Sequence, residues 1–300
     1  MLEGETVLVT GATGKVAFPI ARALAAAGNR VYGLARFSDP RSADRLRKSG
    51  IEPIAGDLHL ATFADLPADS GYVFHAGAAL DYDSVWEYDL EVNALSTGRL
   101  MTAVADSCRG FVYCSTGSVY KHQGRPLRED DPPGAHWTSN YAFSKIAGEA
   151  IVRHVADDRG VPATIIRIFS TYGPEGGMPW NRVAKVLAGE PVRLHTDRPN
   201  HFNPIYEDDY VRLGIRALEV ADVPALTVNW SGSEAVTAED YLAYAGELTG
   251  TTPIITYDDD AHTELWSDVS KMHEMLGRCE VPWQDGFRRT IEALAPDRLR

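Results

Sequence analysis

A chain of 300 residues with 44% hydrophobic content can bury a substantial core, which sets intrinsic disorder aside. Its formal charge of −13 argues against nucleic acid and against anionic membrane surfaces as partners. Three scattered cysteines, Cys108, Cys114 and Cys279, lack metal-ligand spacing, so no metal is expected and a reducing cytoplasm is the natural setting.

The chain starts "MLEGETVLVTGATG", without the basic segment and apolar run of a signal peptide. "TVLVT", "RVYGLA", "IEPIAG", "YVFHAG", "FVYCS" and "ATIIRIF" read as buried strands, since both faces are apolar and turn residues bound them. Helical patterns lie between them at Val16–Ala27, Asp44–Ser49, Asp83–Ser107 and Asn140–Arg159. This alternation predicts an α/β fold: a Rossmann-type, doubly wound parallel sheet with a smaller interleaved C-terminal lobe. Residues 1–173 are assigned to a dinucleotide-binding domain to which 203–232 returns, and 174–300 to a substrate lobe. Within that lobe helices are expected at Ala238–Leu248, Ser270–Leu276 and Gln284–Leu294.

Gly11 and Gly14 stand between the first strand and a helix, in "VTGATGKVA". Glycine at such a turn lets the backbone approach a pyrophosphate, whose charge the helix N-terminus favours. Ala17 takes the third, helix-packing position. Thr13, Lys15 and Val16 complete the expected phosphate loop. At the end of the second strand an acidic residue would select NAD by binding the ribose hydroxyls. The chain instead has Ala35 and Arg36, and Arg36, with Ser38 and Arg41, suits a 2′-phosphate. NADP(H) is therefore expected ahead of NAD(H).

On the fourth helix Tyr141 and Lys145 are four residues apart and share a face. A phenol titrates near pH 10 on its own, and an adjacent ammonium favours its phenolate. Together with "AGDL", "HAGAA", "EVNALSTG" and "YCSTGSVY", the "YAFSK" element resembles the extended short-chain dehydrogenase/reductase family. That superfamily comprises NAD(P)-dependent epimerases, dehydratases and reductases. "RIFSTYGPEGG", "FNPIYEDDYV" and "SDVSKMHEMLG" extend the likeness over essentially the whole chain.

The resemblance implies that Tyr141 is the acid/base at a carbinol oxygen, that Lys145 also holds the nicotinamide ribose, and that Thr116 binds the substrate oxygen. Ser115 and Ser118 are candidates to share Thr116's work. It also assigns Asp57, Leu58, His75, Ala76 and Gly77 to the cofactor, with His75 a packed strand-end residue rather than an acid or base. Asn93 is expected to tie backbone together. Tyr172, beside Gly173 and Pro174, is placed next to the nicotinamide. Trp180, Asn181, His201 and Asn203 are substrate candidates along with Tyr172 and Ser118, and His136, Trp137 and Trp266 fall in the same expected pocket.

Two departures weigh against a sugar nucleotide. Ser170 stands where that branch has asparagine, and Phe202 where it has a diphosphate-binding arginine, a role left to Arg193 or Arg198. Gly117 and Ser118 follow Thr116 without the extra acid and base of a 4,6-dehydratase. The leading reading is an NADP(H)-dependent oxidoreductase acting at a carbonyl/alcohol carbon of a small or medium polar substrate. The alternatives are a sugar or nucleotide-sugar epimerase using the same site, and a non-catalytic NADP sensor. The resemblance further implies a homodimer in which Asp83–Ser107 and Asn140–Arg159 form a four-helix bundle, using Val85, Trp86, Val92, Leu100, Ile151 and Val155.

Overall fold

A computed structural model describes residues 2–60, 63, 66–80, 84–135 and 139–300. The chain divides into two compact units. The first contains Met1–Lys121, Pro132–Arg167 and Val211–Val228, and the second His122–Asp131, Ile168–Tyr210 and Asn229–Arg300. The first unit therefore closes at Arg167 and gives up the short 122–131 segment, neither of which the composition signals.

In the first unit β1 (Thr6–Thr10), α1 (Ala17–Ala26), β2 (Arg30–Ala35), α2 (Pro40–Lys48), β3 (Ile51–Ala55) and β4 (Tyr72–His75) follow in order. Next come α3 (Trp86–Leu90), a π-helical turn at Glu91–Leu95, α4 (Ser96–Ala103), β5 (Gly110–Thr116), α5 (Asn140–Arg159) and β6 (Ala163–Ile168). The second unit carries β7 (Ser170–Gly173), β8 (Gly176–Gly177), α6 (Met178–Ala188), β9 (Val192–Leu194), β10 (His201–Phe202) and β11 (Pro204–Tyr206). The chain passes back through α7 (Glu207–Glu219) and β12 (Leu226–Trp230). It ends with β13 (Val236–Thr237), α8 (Ala238–Thr249), β14 (Ile255–Tyr257), α9 (Ser270–Met275) and α10 (Trp283–Leu294).

The main sheet is parallel and seven-stranded, in the order β12-β6-β5-β4-β1-β2-β3. β1 lies between β2 and β4, so the winding reverses there and the loops after β1 and β4 open one crevice. All seven residues of β5 are buried, as befits a strand covered on both faces. α4 and α5 cover one face, where Leu100, Met101, Val152 and Ala156 pack with Val73, Phe111 and Ile165.

α5 runs for 20 residues because both ends are capped. The Ser139 hydroxyl accepts from the Ala142 amide, and Gly160 takes the left-handed conformation at the other end. The expected helix at Asp83–Ser107 runs from Trp86 to Ala103 with a π-helical turn within it, and Asp83 lies outside the described residues. α2 begins at Pro40, earlier than expected, because Asp39 caps it and proline suits the first helical position. α6 is flanked by Gly177 and Gly189 and carries Pro179 in its first turn, where a proline costs the helix no hydrogen bond.

Candidate active site

Gly11 has φ +65°, and a Cβ there would lie 2.8 Å from the Cα of Gly77. Backbone meets backbone, so neither loop could yield to a side chain. Gly14 donates its amide to the Gly11 carbonyl at 2.8 Å and turns the chain into α1. That helix has neither a side-chain cap nor an acidic residue in its first turn, which leaves its amide end to an anion.

The cavity beside this loop is about 540 Å³. Gly11, Thr13 and Gly14 form one wall, Arg36, Asp57 and Leu58 a second, and Ala76 and Gly77 a third. Tyr88, which the sequence did not single out, and Val92, which it assigned to the dimer contact, also line it. A close glycine pair, an uncapped helix end and an apolar trough fit a nicotinamide dinucleotide. Lys15 and Val16 do not line the cavity.

His75 requires a correction. It is fully buried, with Nδ1 2.6 Å from the Thr10 hydroxyl and Nε2 3.0 Å from that of Thr97. Burial, and secondarily the charge of Lys145, push its pKa down to about 3, so it is a neutral bridge beneath the cavity rather than a cofactor ligand. Arg41 is also committed elsewhere. Its guanidinium makes a bidentate pair with Asp39, at 3.1 and 2.9 Å, which leaves Arg36 as the exposed cation on the cavity wall.

Tyr141 is the second residue of α5, where the positive end of the helix favours a phenolate. Its turn is pinned: Asn93 Nδ2 donates to Ser144 Oγ at 2.9 Å, and Ser144 Oγ donates to the Tyr141 carbonyl at 2.8 Å. The Asn93 amide also bonds both backbone groups of Ala79, on the cavity wall. Asn93 therefore does tie backbone together, from within the π-turn.

Lys145 is 1% exposed, and its ammonium lies 4.1 Å from the centre of the Tyr113 ring. Burial lowers its pKa to about 8, against the attraction of Cys114 and Glu149. The Tyr113 hydroxyl donates to the Asn93 carbonyl at 2.8 Å, and a Cβ on Gly148 would overlap that hydroxyl. The glycine inside α5 is thus a packing requirement.

Thr116 ends β5, and its hydroxyl accepts from the Ser118 amide at 3.2 Å and lies 3.3 Å from the Ser118 hydroxyl. Ser115 cannot share this work, because its hydroxyl donates to Glu149 at 2.7 Å. Glu149 in turn receives Arg167 at 2.9 and 2.7 Å, a buried pair that sequence reasoning missed.

Two substrate candidates in the second unit prove to be core residues. Tyr172 stacks on Phe287 at 4.4 Å and donates its hydroxyl to the Trp283 carbonyl, and Asn203 bridges Glu234 and Ser267 through backbone atoms. His201 is half-buried, 2.9 Å from Glu264 and stacked on Trp266. Trp180 is half-buried, while His136 and Trp137 lie outside the described residues. Asn181 lines a cavity of about 300 Å³ with three cations, Arg182, Lys185 and Arg193. Arg182 was missed; its guanidinium lies 4.4 Å over Phe202 and donates to the buried Tyr241 hydroxyl at 2.9 Å. Among the described residues no helix is long and apolar enough to cross a membrane.

A model of the NAD dependent epimerase/dehydratase family matches residues 7–229. The chain is 26% identical to a dTDP-4-dehydro-6-deoxy-D-allose reductase of Streptomyces bikiniensis, over 96% of this chain and 95% of that protein. It is 24% identical to a UDP-glucuronate 4-epimerase of Thermodesulfobacterium geofontis, over 95% and 94% of the two chains. Its fold matches that of MoeE5 in complex with UDP-glucuronic acid and NAD, with a TM-score of 0.83 and 25% identity over 97% and 99% of the two chains.

Proposed function

The chain belongs to the NAD dependent epimerase/dehydratase family and is an enzyme of that family. From that premise we propose that it acts on a nucleotide sugar, transferring hydride at a hydroxyl-bearing carbon as an NAD(P)-dependent epimerase. The pairing of Tyr141 with the buried Lys145, tied through Asn93 to a dinucleotide cradle, carries this assignment. The bound nicotinamide supplies the hydride acceptor and donor. Tyr141 takes the proton from the sugar hydroxyl and returns it, Lys145 and the helix end favour its phenolate, and Thr116 orients the oxygen.

The substrate class draws on the relatives, whose names specify UDP and dTDP sugars. Arg182 and Lys185 line a cavity of the second unit together with Asp260 and with Arg193, which is paired with Asp258 at 2.6 Å. Arg198 lies over the Tyr257 ring instead, at 4.6 Å. The UDP and dTDP sugars named for the relatives favour the epimerase over an oxidoreductase of a small or medium polar substrate.

Arg36 favours a second reading, a reductase that consumes free NADPH. Supplying UDP and dTDP sugars with and without NADPH separates the two. An epimerase interconverts a sugar with no net cofactor turnover, whereas a reductase oxidises NADPH in proportion to product.

The enzyme is assigned to the cytoplasm on its scattered free thiols, and to a homodimer on its helical face. Trp86, Leu95 and Phe143 are exposed on that face. Val92 and Leu100, which the sequence placed there, are buried within the subunit.

A further inference from the structure

Thr10, His75, Thr97 and Asn93 are all buried, and an unbroken string of hydrogen bonds runs through them. At one end the Gly77 amide donates to Thr10 Oγ1 at 3.0 Å. Thr10 precedes Gly11, whose turn Gly77 crowds, so this bond closes the glycine pinch of the dinucleotide cavity. Thr10 Oγ1 lies 2.6 Å from His75 Nδ1, and His75 Nε2 lies 3.0 Å from Thr97 Oγ1. At the other end Thr97 Oγ1 donates to the Asn93 carbonyl at 3.1 Å. The Asn93 side chain in turn holds Ala79 and, through Ser144, the turn of Tyr141.

The ends of the string fix its direction. A threonine hydroxyl has one proton to give. Thr97 gives its proton to Asn93, so it accepts from His75, and the ring hydrogen sits on Nε2. A neutral imidazole then offers a lone pair at Nδ1. Thr10, whose oxygen accepts from Gly77, donates its proton there. One tautomer satisfies every group, and burial keeps the ring neutral.

Packing alone does not call for this arrangement, since an apolar side chain at His75 would avoid the cost of desolvating a polar ring. What the ring adds is a rigid span, accepting from β1 on one edge and donating to α4 on the other. We propose that His75 is a positioning residue, locked as its Nε2–H tautomer, that sets the Gly11–Gly77 pinch and the Asn93 turn together. The loop that receives the dinucleotide and the helix that carries Tyr141 thereby share one geometry.

This inference rests on the cavity being the dinucleotide site and on Tyr141 being catalytic, but its deciding readouts need no sugar. Nitrogen-15 NMR of histidine-labelled wild type, with the His75 signals identified by their loss in His75→Gln, should show neutral Nε2–H from pH 6 to 8. An Nδ1–H tautomer or an imidazolium in that range overturns the proposal, even if neither variant below folds.

Asparagine and glutamine divide the imidazole between them. The asparagine amide oxygen replaces the acceptor at Nδ1, and the glutamine amide nitrogen replaces the donor at Nε2. His75→Gln should therefore speed hydrogen exchange at the Gly77 amide and weaken NAD⁺ and NADPH binding, each by roughly 3- to 10-fold, with Ala79 near wild type. His75→Asn should do the reverse, speeding exchange at the Ala79 amide and lowering turnover while cofactor affinity holds. Thr97→Val breaks the string on the Asn93 side with His75 in place and should also speed Ala79 alone. Equal changes at Gly77 and Ala79 in both histidine variants, or none at either, would mean that His75 only fills space. Failure of every nucleotide sugar as substrate would refute the proposed function and leave the tautomer and the exchange rates unaffected.

Discussion

The ammonium of Lys145 rests on the face of the Tyr113 ring, and the hydroxyl of that ring is held by the carbonyl of Asn93. That carbonyl lies within the π-helical turn and also accepts from the Thr97 hydroxyl at 3.1 Å. One asparagine thus supports the lysine from below through its backbone and fixes the tyrosine's turn from the side through its amide.

Lys145→Met should abolish turnover yet leave the fold as stable or more so at pH 7. The ammonium's folded pKa, about 8, lies below its ordinary 10.5, so its burial penalty is fully present below pH 8. The penalty is relieved as pH rises from 8 to 10.5. The variant's advantage, roughly 3 kcal/mol at most, should therefore shrink over that window in urea titrations at pH 7 and pH 10. In the wild type, loss of the charge above pH 8 should reduce turnover.

Gly148→Ala should destabilise the protein by a few kcal/mol, since the new methyl overlaps the Tyr113 hydroxyl and crowds the Asn93 carbonyl. Tyr113→Phe in the same chain should recover part of the loss. Thermal melts of both variants check this, and an undisturbed single variant would mean that α5 can move away from β5.

Arg36→Ala should weaken NADPH binding by about 1.5–3 kcal/mol while sparing NADH, as expected for lost hydrogen bonds to a charged group. Arg41→Ala should change neither, because its guanidinium is already paired with Asp39. Calorimetric titration with both cofactors tests the pair, and equal wild-type affinities for NADPH and NADH would remove Arg36 from the 2′-phosphate site.

Phe143→Asp or Leu95→Glu should split the proposed dimer, since both side chains are exposed. Sedimentation at micromolar concentration reads the result. A wild-type mass near 32.8 kDa would mean a monomer.

Much of this was legible in the sequence because the signals were local. Both-face-apolar strands, the Gly11–Gly14 loop and the Tyr141–Lys145 spacing each follow from a few adjacent residues. The partners of those residues were not legible. Glu149 and Arg167 are 18 positions apart, and Asn93 and Ser144 are 51 apart, so only the sheet order brings them together. Asn203 and Tyr172 were read as pocket residues for the same reason: a polar or aromatic side chain in a loop looks available until its long-range partner is known. The π-turn left no trace either, since "EVNALSTG" has ordinary helical composition.

Proton transfer by Tyr141, supported by Lys145, for hydride exchange on a nucleotide sugar is the proposal that activity tests most directly. The most direct measurement is proton NMR of UDP and dTDP sugars incubated with wild-type and Tyr141→Phe protein, each supplied with NAD⁺ or NADPH. Wild type should convert at least one sugar, and Tyr141→Phe should be slower by about 100-fold or more while still binding cofactor. Conversion at an undiminished rate by Tyr141→Phe, or no conversion of any nucleotide sugar with either cofactor, would contradict the account.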